Sequence, residues 1–377
     1  MNKKIFSFLL LLIILTAIQD VLIPESSPLR YITVITQSFG VLVSIFAFFK
    51  FIIQVDKYFF RFSFWLTLFI VMLTSYAIFN PLQITNYSKV LYSLLPFYVF
   101  YNVSRQGISI ENNLQKFSII MVLVSVYQLY VGYFVRMEEL SGDLLDKADN
   151  IAYQLLSVMV LISVLKPKII NIFLICIVYV AILFSLKRGA ILSSTIVLIF
   201  YFLEFRRNYK KDSKFILIFG SATFLIGIPL LIRKYSEILL YRFIIDESGG
   251  SGRESMYTSI YNDWLSFPLI NKIFGRGFFS LFDGLGYAHS DWLQLLYDHG
   301  VFGIILFICV IILLFNFRKK IKIFNQKHYY PFLGLCFVIF FKSIFSGTYM
   351  TKYDAIIYGV IGLMMGIIYR KQKTYSS

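Results

Sequence analysis

The sequence is poor in the residues that soluble enzymes most often use for chemistry. Its 377 residues include 3 histidines and 3 cysteines, and 15% of them are charged, whereas about a quarter are charged in a typical soluble domain. The cysteines lie in apolar runs without disulfide or metal-site spacing, which indicates buried hydrophobic side chains: Cys176, Cys309 and Cys336. Nucleotide-binding and zinc-protease motifs are absent, and no Asp-X-Asp pair occurs. We therefore expect no cofactor and no metal.

Long apolar runs dominate what is present. Hydrophobic residues make up 58% of the chain, and several runs are long enough to cross the ~30 Å hydrocarbon layer as a helix. The N-terminal run lacks a following small-residue cleavage site and is interpreted as the first span. The pattern predicts an all-α, polytopic integral membrane protein, one transmembrane domain over 1–377 with about twelve spans: 5–23, 31–52, 62–79, 88–104, 117–136, 151–165, 168–185, 189–204, 214–232, 297–316, 329–346 and 353–370.

Positive charge is unevenly distributed between the predicted loops. The formal net charge of +16 could suggest a nucleic-acid partner. With the N-terminus in the cytoplasm, however, the segments predicted to be cytoplasmic hold 22 of the 36 Lys and Arg residues. This asymmetry is the positive-inside signal of a multi-pass membrane protein. It predicts that both termini are cytoplasmic, that the lipid bilayer is a partner and that nucleic acid is not.

One turn breaks the positive-inside rule. Lys187 and Arg188 lie between two predicted spans, on the side of the membrane that should carry few cations. One interpretation is that the long side chains reach the membrane surface from the turn. The functional interpretation is that they bind an anionic ligand.

The segment 233–296 is much longer than a connection between two spans requires, and long loops of this kind are usually functional. We expect it to be extracytoplasmic and to carry short helices over 235–245 and 254–267. It contains Arg253 after a Gly-Ser turn and Arg276 between two glycines. Those two glycines would let the backbone turn tightly and present its N–H groups to an anion.

A histidine stands just before the next predicted helix. His289 is followed by Ser290, a good N-cap, and by Asp291, which suits the positive end of a helix dipole. This helix is expected to lead straight into the span that begins near Tyr297. A histidine before a helix N-terminus tends to stay neutral and can accept a proton near neutral pH. A packed or interfacial histidine is the alternative.

The order of these elements resembles the O-antigen polymerase and ligase superfamily of bacterial envelopes (Wzy-type polymerases and their ligase relatives). Members typically have a serine-containing S-x-x-R-G-type turn between spans, which resembles residues 185–189 here. A long outer loop follows, with an arginine, a G-x-G and a His-Asn-x-x-Leu-x-x-Leu-x-x-x-Gly-x-x-Gly ending. The resemblance covers about 185–303, and its ending reads His289, Ser290-Asp291 in place of Asn, Leu293, Leu296, Gly300 and Gly303.

The resemblance implies a metal-independent glycosyltransferase that joins repeat units carried on undecaprenyl pyrophosphate into O-antigen or capsular polysaccharide. The reaction would take place on the outer face of the bacterial inner (cytoplasmic) membrane. Arginine suits a pyrophosphate because its guanidinium binds phosphate oxygens in a fixed, bidentate geometry. His289 is the candidate general base for the acceptor hydroxyl, and Asp291 is the candidate residue that orients it. A chain-length regulator is a further candidate partner. The candidate pyrophosphate-binding residues are Arg188 and Arg253, with Lys187 and Arg276 as helpers.

Two other functions are compatible with the sequence. A ligase of the same superfamily would transfer finished polymer to another acceptor. A flippase or transporter of lipid-linked oligosaccharide would also have many spans, but transporters tend to show internal repeats and ionisable residues inside spans. The sequence shows no clear repeat, and its main charge inside a predicted span is Lys342, near the expected outer end.

Overall fold

The computed structural model describes residues 3–23, 27–52, 60–75, 84–131, 144–166, 168–185, 187–208, 253–281, 287–349 and 351–376. Within these residues the regular structure is helical, with no β-strand, so the all-helical prediction is confirmed. The helices are α1 (Lys3–Leu22), α2 (Arg30–Ile52), α3 (Phe60–Ser75), α4 (Ile84–Leu94), α5 (Pro96–Arg105), α6 (Glu111–Tyr130), α7 (Leu144–Val164), α8 (Ile169–Phe184), α9 (Arg188–Asn208), α10 (Arg253–Ser266), α11 (Leu269–Phe274), α12 (Asp291–Phe324), α13 (Tyr329–Phe345) and α14 (Asp354–Ser376), with a 3-10 turn at Gln326–His328 before α13.

Eleven of the twelve predicted spans overlap these helices, and the twelfth, 214–232, lies outside the described residues. Five of the described helical segments are long and apolar enough to cross a membrane: Lys3–Leu22, Arg30–Lys50, Arg188–Arg207, Asp291–Phe324 and Gln326–Phe345. Helices α3, α7 and α8 contain apolar stretches that fall below that length: Phe62–Ser75, Ile151–Val164 and Ile169–Phe184. The chain is therefore a membrane protein, but the count of twelve spans is not confirmed.

The span predicted over 88–104 is two helices. Helix α4 ends at Leu94, and α5 begins at Pro96. Proline lacks the N–H that would continue the helical hydrogen bonds and its ring clashes with the preceding turn, but it is well suited to the first position of a new helix. The break therefore falls where the sequence has its proline.

Helix α12 leads from Asp291 directly into the predicted span, as expected, but it is kinked on the way. Gly300 has φ 62° and ψ −161°, which are not helical values. A Cβ on Gly300 would overlap the backbone of Ile273, so α11 approaches α12 at the kink more closely than any side chain would allow. Glycine permits both the positive φ and the close approach.

The centre of the bundle is the packing of α14 against α5. Three glycines of α14 face α5, and a Cβ on the middle one, Gly362, would overlap the carbonyl of Phe97. The other two, Gly359 and Gly366, leave room for Phe100 and Ser104. Small residues at such spacing let membrane helices pack at short range, which helps because apolar side chains gain little by leaving lipid.

The helix ends that were predicted to share the outer side of the membrane meet in the structure. Asp20 at the end of α1 forms ion pairs with Arg30, at 3.3 Å, and with Lys352, which precedes α14. Tyr353 also donates a hydrogen bond to Asp20. The start of α2 and the loop before α14 are thereby joined to the end of α1.

The opposite helix ends meet in the same way. Glu111 at the start of α6 pairs with Lys166 after α7 at 2.7 Å, and Lys371 near the end of α14 donates to Asn325 after α12 at 2.9 Å. The pairing of ends agrees with the predicted alternation of the spans. Which end faces the cytoplasm, and the cytoplasmic position of both termini, stay predictions.

The loop predicted over 233–296 contains the expected short helices where the structure describes it. The helix predicted over 254–267 is α10, which ends at Ser266 just before Pro268, and α11 follows. The helix predicted over 235–245 lies outside the described residues.

Candidate functional site

Tyr153, on helix α7, lies near two cationic side chains. The three are at the end of the bundle where α9, α12 and α14 begin. The Nζ atom of Lys187, in the turn before α9, lies 6.0 Å from the centroid of the Tyr153 ring, and that of Lys342, near the end of α13, lies 5.4 Å from it. A Cβ on Gly189 would come within 2.8 Å of the Tyr153 hydroxyl. The glycine of the 185–189 turn therefore lets the turn approach Tyr153.

Tyr287 lies near Tyr153, and we call Tyr153, Lys187, Tyr287 and Lys342 the Tyr153 cluster. Its hydroxyl donates a hydrogen bond to the carbonyl of Ser346 at 3.3 Å. Removal of the hydroxyl from water raises the pKa of Tyr287 well above its usual range, and the nearby carboxylates of Asp291 and Asp354 raise it further. Both the Tyr287 hydroxyl and the Asp291 carboxylate pack against Gly347. A Cβ on this glycine would overlap the hydroxyl and lie 3.2 Å from Asp291 Oδ1. Tyr287 is thus a neutral hydrogen-bond donor within this cluster.

His289 is exposed and directly precedes α12. Its ring meets that of Tyr287 edge-on, with centroids 5.0 Å apart and an interplanar angle of 75°. Its backbone has φ 50°, in the left-handed region. Such a conformation costs a non-glycine residue on the order of 1–3 kcal/mol and is often found at functional sites. The exposed ring therefore contacts Tyr287 just before the start of α12.

Ser290 occupies the predicted N-cap position of α12, but its side chain makes no capping hydrogen bond. Asp291, the first helical residue, is fully buried. Its Oδ2 accepts hydrogen bonds from the N–H of Thr348 at 2.8 Å and from its hydroxyl at 2.7 Å. Its Oδ1 accepts none from the described part of the chain. Asp291 therefore ties the start of α12 to the loop after α13, and its role in orienting His289 stays a prediction.

A buried ion pair lies beneath these residues. Lys342 Nζ contacts Asp354 Oδ1, and neither side chain is exposed. The second oxygen of Asp354 accepts a hydrogen bond from Thr351 at 2.6 Å. Lys342 lies near the end of its helix, as the sequence indicated, and the pair joins the end of α13 to the start of α14.

The two leading arginine candidates begin helices. Arg188 is exposed and is the first residue of α9, whereas Lys187 before it is half-buried. Arg253 is the first residue of α10, and its side chain lies outside the described atoms. The structure thus brings Lys187 into contact with the Tyr153 cluster, and Arg188 follows it in the same turn.

Arg276 belongs to a different cluster. Its guanidinium carbon lies 4.0 Å from the centroid of the Phe267 ring. Its Nη1 atom donates a hydrogen bond to the Tyr297 hydroxyl at 3.4 Å and lies 4.0 Å from Oδ2 of Asp263, which itself accepts a hydrogen bond from Tyr297 at 2.6 Å. These contacts hold α10 against α12. The part of Arg276 in ligand binding stays a prediction.

The expectation that the Gly-Arg-Gly turn offers its N–H groups to an anion is wrong. The N–H of Gly275 donates to Asn271 at 2.7 Å, that of Arg276 to Tyr297 at 3.2 Å, and that of Gly277 to Asp298 at 2.8 Å. The last two acceptors are carbonyls just before the kink at Gly300. A break in helical geometry leaves the preceding carbonyls without their usual partners, and this turn supplies replacements.

The side chain of Asp298 completes this attachment. It is fully buried and accepts hydrogen bonds from the N–H groups of Phe279 and Leu281, both at 3.1 Å. Ser280 and Gln294 also donate to it, at 3.0 and 2.6 Å. We call residues 275–281 together with 297–300 the clasp. The clasp fixes the long loop to α12 shortly before the chain reaches His289.

Sequence reasoning missed several residues of the site. Tyr153 and Thr348 contact residues that lie far away in the sequence, so the pattern within one segment gives no sign of them. Lys342 was noticed as a charge within a span, and Asp354 at the start of the next span was available as a signal for its partner. The missed residues around the cluster are Tyr153, Thr348 and Asp354.

Residues 172–308 match the family model described as O-Antigen ligase. This match covers the turn before α9 and the segment from α10 through the first part of α12, and it confirms the resemblance to the O-antigen polymerase and ligase superfamily. It supports a polymerase or ligase function in the formation of surface polysaccharide. A comparison with curated proteins finds no match.

Proposed function

We propose that this chain belongs to the O-antigen polymerase and ligase superfamily, whose family model matches residues 172–308, and that it polymerises oligosaccharide repeat units into O-antigen or capsular polysaccharide. The donor would be a growing glycan carried on undecaprenyl pyrophosphate, and the acceptor a hydroxyl of the next lipid-linked unit. The reaction would occur at the outer face of the bacterial inner membrane, with both termini of the chain in the cytoplasm.

The observation that carries the proposal is the Tyr153 cluster. Lys187 and the exposed Arg188 occupy one turn, Tyr287 and His289 precede α12, and the two segments approach the same central side chain. A cationic turn and an exposed histidine at one cluster suit a reaction that needs both an anion-binding group and a base.

In this reaction the acceptor oxygen forms a bond to the anomeric carbon of the donor. The bond between that carbon and the pyrophosphate oxygen breaks, and undecaprenyl pyrophosphate leaves with the bonding electrons. Arg188 and Arg253 bind the leaving pyrophosphate, with Lys187 and Arg276 as helpers, because fixed cations stabilise charge that grows in the transition state. His289 takes the proton of the acceptor hydroxyl. Asp291 orients His289.

A ligase is the second candidate. The family description O-Antigen ligase favours it, and the same residues would serve if the acceptor were another lipid or a protein. A flippase of lipid-linked oligosaccharide is less well supported, because the charge noticed inside a span, Lys342, is paired with Asp354 near the helix ends.

The test uses a strain that lacks the native gene and expresses tagged variants. His289→Ala, Arg188→Ala and Arg253→Ala are each expected to abolish the ladder of long chains when surface polysaccharide is separated on a gel. Arg206→Ala is the matched control, because Arg206 is an exposed arginine in the last turn of the helix that Arg188 begins. It should leave the ladder intact at an equal amount of membrane protein.

The outcomes separate the candidates. Single units attached to the lipid carrier accumulate if a polymerase has been lost, and long lipid-linked polymer accumulates if a ligase has been lost. Inversion of the substrate in proteoliposomes without a new glycosidic bond would indicate a flippase. Normal ladders in all three variants would show that these residues do not carry the proposed reaction.

A further inference from the structure

The short helix α11 turns its apolar side chains away from the protein. Asn271 and Lys272, its two polar residues, are partly covered. A helix that faces water shows the opposite arrangement. The four apolar residues are exposed by 75%, 67%, 41% and 49%, respectively: Leu269, Ile270, Ile273 and Phe274.

This helix is attached to α12 at the kink. The backbone carbonyls of Lys272 and Ile273 lie against Gly300, where any Cβ would meet them. The ring of Phe274 lies 5.9 Å from that of Phe302, centroid to centroid. The position of α11 along the axis of α12 is therefore set by close backbone packing and not by a mobile side-chain contact.

The exposed face of α11 continues into the exposed stripe of α12. None of residues 291–300 is exposed, whereas Val301, Phe302 and Ile305 are, and Ile312 lies further along the same face. Helix α12 is one of the segments long and apolar enough to span a membrane. Its exposed apolar stripe must then face lipid, because a spanning helix meets acyl chains wherever protein does not cover it.

We propose that α11 is an interfacial helix. Its apolar face inserts among the lipid acyl chains at the level where the lipid-facing stripe of α12 begins. The occupant is the bilayer itself. Continuity with the stripe of α12 argues for lipid, since no polar residue separates Phe274 from Phe302 at their contact. Lys272, half-covered on the same helix, can direct its ammonium towards lipid phosphates.

Insertion of α11 would set the position of the candidate site relative to the membrane surface. Gly300 comes nine residues after Asp291, a separation of about 14 Å at the helical rise of 1.5 Å per residue. Residues 287–291 would then lie above the buried face of α11, near the level of the lipid headgroups. The inference requires that α12 spans the membrane and does not require the proposed glycosyl transfer.

The test measures the environment of single spin labels in the full-length protein, reconstituted in phosphatidylglycerol and phosphatidylethanolamine bilayers. The native cysteines are replaced by alanine, and one label is placed by Ile270→Cys. The lipid reference is Ile305→Cys on the stripe of α12, and the water reference is Ser259→Cys on the exposed polar face of α10. Collision with oxygen, which partitions into lipid, is compared with collision with a water-soluble nickel chelate.

The label at position 270 is expected to show severalfold less collision with nickel than the label at 259, and an oxygen-to-nickel ratio closer to that at 305. A ratio closer to that at 259 would overturn the proposal, whether the face meets water or a protein partner. If a cysteine variant fails to fold, Ile270→Trp in lipids brominated on their acyl chains provides a second measurement. Fluorescence quenching no greater than in Ser259→Trp would again refute the insertion of α11 into the lipid.

Discussion

Removing one partner of the Lys342–Asp354 ion pair should destabilise the protein far more than removing both. Neither side chain is exposed, and the two lie in contact between the end of α13 and the start of α14. The variant Lys342→Met has a similar length and no charge, so it leaves the Asp354 carboxylate buried without its cation, although the hydrogen bonds from Thr351 remain. The reciprocal variant, Asp354→Asn, leaves the Lys342 ammonium without its anion.

The magnitude follows from burial. Breaking a buried ion pair at one side typically costs about 3–5 kcal/mol, because the remaining charge has neither water nor a partner. This corresponds to a change of more than about a hundredfold in the unfolding equilibrium. Replacing both partners removes the two charges together and is often close to neutral. The double variant Lys342→Met/Asp354→Asn should therefore be markedly more stable than either single variant.

Unfolding of the purified protein in mixed micelles, followed by fluorescence during titration with a denaturing detergent, measures these differences. The matched control is Lys166→Met, because Lys166 pairs with Glu111 at 2.7 Å but is 74% exposed. Its loss should cost no more than about 1 kcal/mol. If Lys342→Met were as mild as Lys166→Met, or if the double variant lost the sum of both single losses, the assignment of a coupled buried pair would fail.

Two further substitutions test the clasp. Gly300→Ala should reduce the yield of folded protein and lower its stability by at least about 1–2 kcal/mol, since its φ of 62° disfavours a Cβ and Ile273 fills the space. Gly334→Ala, where the nearest atom would lie 3.4 Å away, should be tolerated in the same assay, and equal yields would contradict the reasoning. Asp298→Ala should leave its donors unpaired at about 1–3 kcal/mol each, so hydrogen exchange of the Phe279 and Leu281 amides should be faster than in the wild type. Unchanged exchange would show that Asp298 does not hold the loop.

Hydropathy predicted where the helices are, but not which of them touch. Helix α14 packs on α5, more than 200 residues earlier in the sequence, through Gly359, Gly362 and Gly366. In a soluble helix an apolar stripe indicates the buried face. Here lipid and protein interior are about equally apolar, so the sequence has no such contrast. The break before Pro96 was different, because the proline itself was a visible signal for it.

The candidate site, too, could be predicted only in part from the sequence. The basic turn at 187–188 was noticeable because its charge opposed the positive-inside rule, and Lys187 does lie in the cluster that includes Tyr287. The Gly-Arg-Gly turn was misread as an anion-binding element. Its N–H groups are used by carbonyls near a kink in α12, and a kink that depends on packing of α11 against Gly300 is not visible in a linear pattern.

The segment 275–303 therefore combines two parts whose mutations need to be distinguished. The clasp attaches the loop to α12, and His289 lies in the sequence between its two segments, so a variant such as Asp298→Ala should lower activity by displacing His289. That loss alone would not make Asp298 a catalytic residue, because its carboxylate is buried and already accepts four hydrogen bonds. Amide exchange separates the two cases: His289→Ala should remove activity and leave exchange at Phe279 and Leu281 unchanged, whereas Asp298→Ala should change both.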